Sequence, residues 1–109
     1  MSHLVLVVDD DASMCELLAE GLDPAKFGVV WTTDPHEVEA ILEKRQFDVV
    51  LTDVRMRGMD GLELCSKLVQ RHRGLPVVVM TAFGSIDAAV NAMRAGAYDF
   101  LTKPLDVEL

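Results

Sequence analysis

Five short apolar runs alternate along the chain with segments whose apolar residues recur at helical spacing. Such runs are typical of sheet strands, with those at 4–8, 47–53 and 77–81 predicted to be buried, and the segments between them are typical of amphipathic helices. The predicted strands cover 4–8, 29–32, 47–53, 77–81 and 98–101. Strands that alternate with helices pair in parallel through right-handed crossovers, so we predict a doubly wound α/β fold.

The helical segments are marked by apolar residues three and four positions apart. They are Met14, Leu17, Leu18, Gly21 and Leu22 in the first, Val38, Ile41 and Leu42 in the second, Leu62, Cys65, Leu68 and Val69 in the third, and Ile86, Val90 and Met93 in the fourth. These positions are predicted to form the helix faces that pack on the sheet.

Two of these helices carry capping signals. Asp34 is the expected N-cap of the second helix, with Pro35 at the first helical position and Glu37 completing a capping box. Ser85 is the expected N-cap of the fourth helix, and Gly96 suits its C-terminal cap.

The composition is that of one soluble domain, which we assign to residues 1–109. No apolar run approaches the roughly 20 residues that span a bilayer, and no signal peptide is evident, so we expect a cytoplasmic protein without a membrane contact. Cys15 and Cys65 fall within helical patterns and are expected to be reduced core thiols. The net charge of −8 argues against nucleic-acid binding by this domain.

Chemically distinctive side chains stand at the ends of four predicted strands. They are Asp9, Asp10 and Asp11 after the first, Asp53 on the third, Thr81 on the fourth and Lys103 after the fifth. Each of these residues, taken alone, also has an ordinary structural role. The aspartates could cap a helix or form a turn, the threonine could simply end a strand, and the lysine could be a solvated surface residue. Because open α/β sheets bind ligands at the carboxyl ends of their strands, we expect the group to converge there.

A cluster of this composition suits phosphoryl transfer. Two or three carboxylates in one crevice repel each other and need a cation, and Mg²⁺ prefers oxygen ligands with room for water. The Asp53 carboxylate would then act as the nucleophile. The metal, the Lys103 ammonium and the Thr81 hydroxyl would stabilise charge on the phosphoryl oxygens.

At these positions the sequence closely resembles the receiver domain of two-component response regulators. The matching motifs are Val7-Val8-Asp9-Asp10-Asp11, Asp53 followed by Met59-Asp60-Gly61-Leu62, Met80-Thr81-Ala82, and Lys103-Pro104. The resemblance covers the whole chain and implies a flavodoxin-like, five-stranded parallel sheet in the order 2-1-3-4-5. The stretch 80–104 is most similar to receivers of the nitrogen-regulation type, which precede ATPase and DNA-binding domains.

The resemblance also implies a signalling role. Asp53 would accept a phosphoryl group from a sensor histidine kinase, so the domain would be a phosphoacceptor that assists its own phosphorylation and dephosphorylation rather than an enzyme. Mg²⁺ would be held by Asp10, by Asp53 and by the backbone carbonyl of Arg55, with Asp9 acting through water. The output would control a downstream transcription-regulating domain.

By the same resemblance, Thr81 and Lys103 would contact the phosphoryl group. The family's switch couples Thr81 to an aromatic residue on the fifth strand. That residue is Phe100, which has no hydroxyl, so a switch here would work through packing; a plain surface aromatic is the alternative. The Lys103–Pro104 peptide would be cis. The expected output or homodimer surface lies on the fourth helix and fifth strand. Its predicted helix residues are Ala88, Asn91, Ala92 and Ala95.

Three features depart from the family pattern. Arg57 stands where receivers commonly carry proline, which predicts a looser loop. Arg55 and Phe83 are a bulky, non-acidic pair at positions that tune phosphate loss, which predicts a long-lived phosphoryl state. Only about the first turn of a fifth helix is present, at 106–109.

Three other readings share parts of this pattern. A flavodoxin-like redox protein needs a glycine- and hydroxyl-rich loop after the first strand, where this chain has three aspartates. A phosphatase with an aspartate nucleophile usually has a second Asp two residues later, where this chain has Arg55. A receiver-like interaction module that is never phosphorylated stays open as the main alternative.

Overall fold

A computed structural model describes residues 3–56, 58–81 and 86–103. Strands and helices alternate along this part of the chain, as the apolar pattern predicts. In order, the elements are β1 (His3–Val8), α1 (Ala12–Gly21), β2 (Phe27–Thr32), a 3₁₀ turn (Pro35–Glu37), α2 (Val38–Lys44), β3 (Val49–Asp53), α3 (Gly61–Arg71), β4 (Val77–Thr81), α4 (Ile86–Arg94) and β5 (Asp99–Thr102).

The five strands form one parallel sheet in the order β2-β1-β3-β4-β5, which confirms the predicted topology. The central strand β3 pairs with β1 through Val8↔Thr52 and with β4 through Asp53↔Met80. From β1 the chain adds β2 on one side of the sheet and then crosses to β3 on the other side, so the strand order reverses between β1 and β3. The crevice at the carboxyl ends of these two strands is the place where such sheets bind ligands.

The core forms two layers because successive strand residues point to opposite faces of the sheet. On one face, Leu6, Val8 and Val79 pack with buried residues of α2, α3 and α4. On the other face, Val5, Val7 and Met80 pack with Cys15 and Leu18 of α1. Both cysteines are buried and unpaired, which confirms that part of the sequence prediction.

The predicted faces of α1 and α4 are partly wrong. Leu17 is 50% exposed, and the neighbouring Cys15 is buried in its place. In α4, Val90 and Met93 are 40% and 51% exposed, whereas Ala92 is buried in the core. A small side chain such as alanine lets a helix pack close to the sheet. A prediction from the spacing of large apolar residues overlooks such small core residues.

The expected capping box at the start of α2 is also wrong. Asp34 does cap the turn, since its Oδ1 accepts a hydrogen bond from the His36 N–H at 2.9 Å. The Glu37 carboxylate, however, accepts the Thr32 hydroxyl at 3.0 Å, and the same hydroxyl accepts the Asp34 N–H at 3.1 Å. In a capping box the Asp34 N–H would donate to the Glu37 carboxylate, whereas here it donates to the Thr32 hydroxyl.

Gly96 ends α4 as predicted. Its φ of +94° is the left-handed conformation that glycine adopts most readily, and its N–H donates to the Met93 carbonyl at 3.1 Å. The predicted Ser85 cap, the cis peptide before Pro104 and the helical turn at 106–109 lie outside the described residues. No helix in the described ranges is long and apolar enough to cross a membrane.

Candidate functional site

The residues that end β1, β3 and β5 meet at one edge of the sheet. Asp9 follows β1, Asp53 is the last residue of β3, and Lys103 follows β5. The Lys103 Nζ lies 2.8 Å from Asp9 Oδ2 and 3.2 Å from Asp53 Oδ1. The convergence expected from the strand ends is thus present.

Asp9 is fully buried, and both of its carboxylate oxygens are hydrogen-bonded. Oδ1 accepts the Asp11 N–H at 2.9 Å, and Oδ2 accepts the Lys103 ammonium at 2.8 Å. The Asp9 carbonyl accepts the Cys15 thiol at 3.4 Å. Burial, and then the charge of Asp9, raises the pKa of Cys15 to about 11, so this thiol stays protonated and can donate.

Three carboxylates form the acidic part of the site. Asp9, Asp10 and Asp53 each offer one oxygen, and these oxygens lie within 4.8 Å of one another. Asp9 is buried, Asp10 is exposed and Asp53 is half-buried, so the cluster opens to solvent on one side. An all-oxygen set with an open side fits a hard divalent cation, which keeps some of its waters.

The electrostatics of the site also favour a bound cation. The pKa of Asp53 lies above its ordinary value of 3.8, first because burial disfavours the carboxylate and then because Asp9 repels it. Burial alone would lower the pKa of Lys103, but the hydrogen bond to Asp9 and the charge of Asp53 outweigh it and raise that pKa above 10.5. One ammonium therefore leaves the carboxylates incompletely compensated.

Gly61 positions the loop that follows Asp53. A Cβ built on Gly61 would lie 1.8 Å from the Asp53 carbonyl oxygen and 2.9 Å from the Val54 Cα, so no side chain fits there. The Gly61 N–H donates to the Val54 carbonyl at 2.8 Å, and Asp60 caps α3 by accepting the Leu62 N–H. Sequence reasoning missed this role, because it used Gly61 only as a family marker.

Thr81 and Phe100, the two residues of the predicted switch, lie on the neighbouring strands β4 and β5. Thr81 is buried at the carboxyl end of β4, opposite Thr102, and its carbonyl accepts the Lys103 N–H at 2.7 Å. Phe100 is half-buried and packs against the core shared by α2, α3 and α4. Phe100 is therefore not a plain surface aromatic.

Arg55 is exposed in the loop between β3 and α3. With Met56, Met59 and Asp60 it lines a cavity of about 450 Å³ beside that loop. The other two loop-side positions singled out from the sequence, Arg57 and Phe83, lie outside the described residues.

Comparison with known proteins gives a consistent result. The family model for the response regulator receiver domain matches residues 5–109. The chain is 45% identical over 105 residues to the DNA-binding transcriptional regulator NtrC of Salmonella typhimurium, a match that covers 96% of this chain and 22% of that protein. It is 41% identical over 102 residues to the response regulator protein PilR of Pseudomonas aeruginosa, covering 94% and 23%. The chain thus spans less than a quarter of these two relatives.

Solved structures agree on the fold. A putative response regulator from Chloroflexus aurantiacus superimposes with a TM-score of 0.90 at 33% identity, covering 99% of this chain and 90% of that one. NtrX from Brucella abortus superimposes with a TM-score of 0.89 at 34% identity, covering 99% of this chain and 25% of that one.

Proposed function

The chain is a member of the response regulator receiver domain family, and we propose on that basis that Asp53 accepts a phosphoryl group from a sensor histidine kinase. The observation that supports this most strongly is the position of Asp53. It ends the central strand, lies 3.2 Å from the Lys103 ammonium and belongs to the cluster of three carboxylates. A nucleophile, a cation site and an ammonium thus share one crevice.

The carboxylate cluster suits Mg²⁺, because every side-chain donor is an oxygen. Asp10 and Asp53 would hold the ion directly, with the backbone carbonyl of Arg55, and Asp9 would act through water. The bound ion would neutralise charge on the phosphoryl oxygens. Asp53 would then serve both the ion and Lys103, which bridges Asp53 to Asp9.

The chain's own residues account for the transfer step. An Asp53 carboxylate oxygen forms a bond to phosphorus while the bond from phosphorus to the donor histidine nitrogen breaks, and the imidazole leaves with that electron pair. The Lys103 ammonium moves from the carboxylates to a phosphoryl oxygen. The Thr81 hydroxyl donates to another, and Phe100 repacks in response.

The output surface proposed here lies on α4 and β5. Its exposed apolar residues on α4 are Val90 and Met93, which are 40% and 51% exposed. Among the residues expected from the sequence, Asn91 is exposed and Ala88 and Ala95 are half-buried. Ala92 is buried and cannot contact a partner. A homodimer, or a downstream transcription-regulating domain of the kind that the relatives' names indicate, would bind these residues.

Incubation with acetyl phosphate and Mg²⁺, followed by intact-mass spectrometry, tests this function. We expect the wild type to gain one phosphate in a Mg²⁺-dependent reaction and Asp53→Asn to gain none. Asp48→Asn is the matched control, because Asp48 lies just before the same strand and its carboxylate accepts the Leu4 N–H at 2.7 Å. This variant should be phosphorylated like the wild type.

Absence of an adduct in folded wild-type protein would contradict the proposal. That result would favour the alternative, a receiver-like interaction module that is not phosphorylated. An adduct that persists in Asp53→Asn would contradict the assignment of the nucleophile.

A further inference from the structure

The end of the sheet opposite the carboxylate cluster carries two adjoining cavities that the proposed function does not use. Each has a volume of about 300 Å³, and both are lined by His72, Gly74 and Leu75 of the turn after α3. The first lies between the ends of α2 and α3 and is bordered by Arg45 and Arg73. We call this cavity the basic cavity.

The second cavity is mainly apolar. Val69, Pro76 and Val77 contribute to its lining, and Tyr98 stands at its side. Tyr98 is 73% exposed, more than any other large hydrophobic residue in the described ranges. An exposed aromatic beside an apolar cavity is a common feature of binding surfaces. We call this cavity the apolar cavity.

Positive charge is concentrated at this end of a strongly acidic chain. Four of the ten lysines and arginines lie here, in a chain of net charge −8: Lys44, Arg45, Arg71 and Arg73. Lys44 and Arg71 occupy the last turns of α2 and α3, where a positive charge stabilises the helix end. Arg45 and Arg73 lie beyond the helices, at the border of the basic cavity.

In the described part of the chain, no acidic group forms an ion pair with the two arginines of the basic cavity. Both are exposed, and neither guanidinium forms a hydrogen bond or ion pair within the described ranges. One acidic residue, Asp48, also lines this cavity, so its two arginines face a single carboxylate there. Asp48 accepts the Leu4 N–H at 2.7 Å, and Glu39 lies 2.8 Å from the His72 Nε2.

We propose that the two cavities together bind an acidic segment of a partner protein that also carries a large apolar side chain. Its carboxylates would pair with Arg45 and Arg73, whose planar guanidinium groups suit bidentate contacts. Its apolar side chain would enter the apolar cavity between Pro76 and Tyr98. Burial of that side chain would supply the affinity that exposed ion pairs alone lack.

The charge of the chain selects among possible ligands. A nucleic acid would bring many negative charges close to a domain of net charge −8, whereas a short acidic peptide brings few. A single small anion would leave the apolar cavity empty. A protein segment that combines carboxylates with an apolar residue uses both cavities.

Selection from a displayed library of random dodecapeptides, with the wild-type domain as bait, tests the proposal. We expect the enriched peptides to combine at least two acidic residues with one large apolar residue, and to bind more weakly as salt is added. Arg45→Gln/Arg73→Gln should weaken binding of an enriched peptide at least tenfold. Tyr98→Ser should also weaken binding of that peptide, but the salt dependence of the binding should stay unchanged.

The matched control is Lys26→Gln/Lys67→Gln, which makes the same change in charge at residues that line neither cavity. It should change the affinity less than twofold, with circular dichroism confirming that all variants fold. An enriched set without the acidic-apolar combination, or an equal loss in both double variants, would overturn the proposal. Displacement of the peptide by inorganic phosphate at equal concentration would indicate a simple anion site and overturn the proposal. Self-association of the domain through these cavities would indicate that a second copy of the chain binds there, and it would also overturn the proposal.

Discussion

The Lys103 side chain lies between two carboxylates that would otherwise repel each other across the crevice. Asp9 is buried, and the ammonium and the Asp11 N–H each donate to one of its carboxylate oxygens. The sequence predicted that these side chains converge, because three strand ends carry them and parallel strands bring their ends together, but it did not predict the ion pairs of Lys103. It did not predict the role of Gly61, because the approach of that residue to the Asp53 carbonyl depends on the path of the loop between them.

The raised pKa of Asp53 makes stability depend on pH. An ionised carboxylate costs folding free energy here, because its pKa is higher in the folded chain than the ordinary 3.8. The cost is absent well below pH 3.8, where both states are protonated, and complete above the folded pKa. We therefore expect Asp53→Asn to melt a few degrees above the wild type at pH 7 without Mg²⁺.

Thermal unfolding across this pH range measures the effect. The difference between Asp53→Asn and the wild type should shrink as the pH falls toward 3.8. A difference that stays constant across the range would show that charge at Asp53 is not its cause.

Substitution of Gly61 tests whether this residue positions the loop after Asp53. Gly61→Ala should destabilise the domain by about 1–3 kcal/mol, because the new methyl group collides with the backbone of Asp53. It should also slow phosphorylation by acetyl phosphate, since the loop next to the nucleophile must move. Gly28→Ala is the control, because its Cβ would meet only the flexible tip of Leu4, at 3.3 Å.

Urea unfolding and the initial rate of phosphate gain give the two readouts. Gly28→Ala should leave the rate unchanged. A Gly61→Ala protein as stable and as reactive as the wild type would contradict the positioning role.

At the level of elements, the sequence predicted the strands better than the helix faces. The apolar runs of β1 and β4 identify buried strands directly, and all five strands were found in the predicted order. Helix α4 was misread because its core residue is Ala92, whereas the larger Val90 and Met93 are exposed. The capping box at Glu37 failed because Thr32, from the preceding strand, competes for the same hydrogen bonds.

The burial of Ala92 predicts a clear contrast along α4. Ala92→Leu should destabilise the domain by about 1–3 kcal/mol, because extra methylenes at a buried core position displace the side chains packed around it. The adjacent Asn91 is exposed, and Asn91→Leu should change stability by less than about 0.5 kcal/mol. Urea unfolding of the two variants decides the matter, and equal effects would contradict the observed orientation of α4.

The whole molecule has two chemically different ends. Carboxylates gather at the carboxyl ends of the strands, and two arginines border the basic cavity at the opposite end. The first end could be predicted because its residues follow successive strands in a family pattern. The second could not, because Arg45, Arg73 and Tyr98 come from separate connections and share no spacing along the chain.

The most direct test of the central claim is amide NMR of the domain with Mg²⁺ and beryllium fluoride, which mimics a phosphoryl group on a carboxylate. We predict shifts at residues 53–56, at Thr81 and at Lys103, together with shifts along α4 and β5, and none of these in Asp53→Asn. Shifts that are absent, or that persist in Asp53→Asn, would contradict the claim that these strand ends form one phosphoacceptor site linked to the α4–β5 surface.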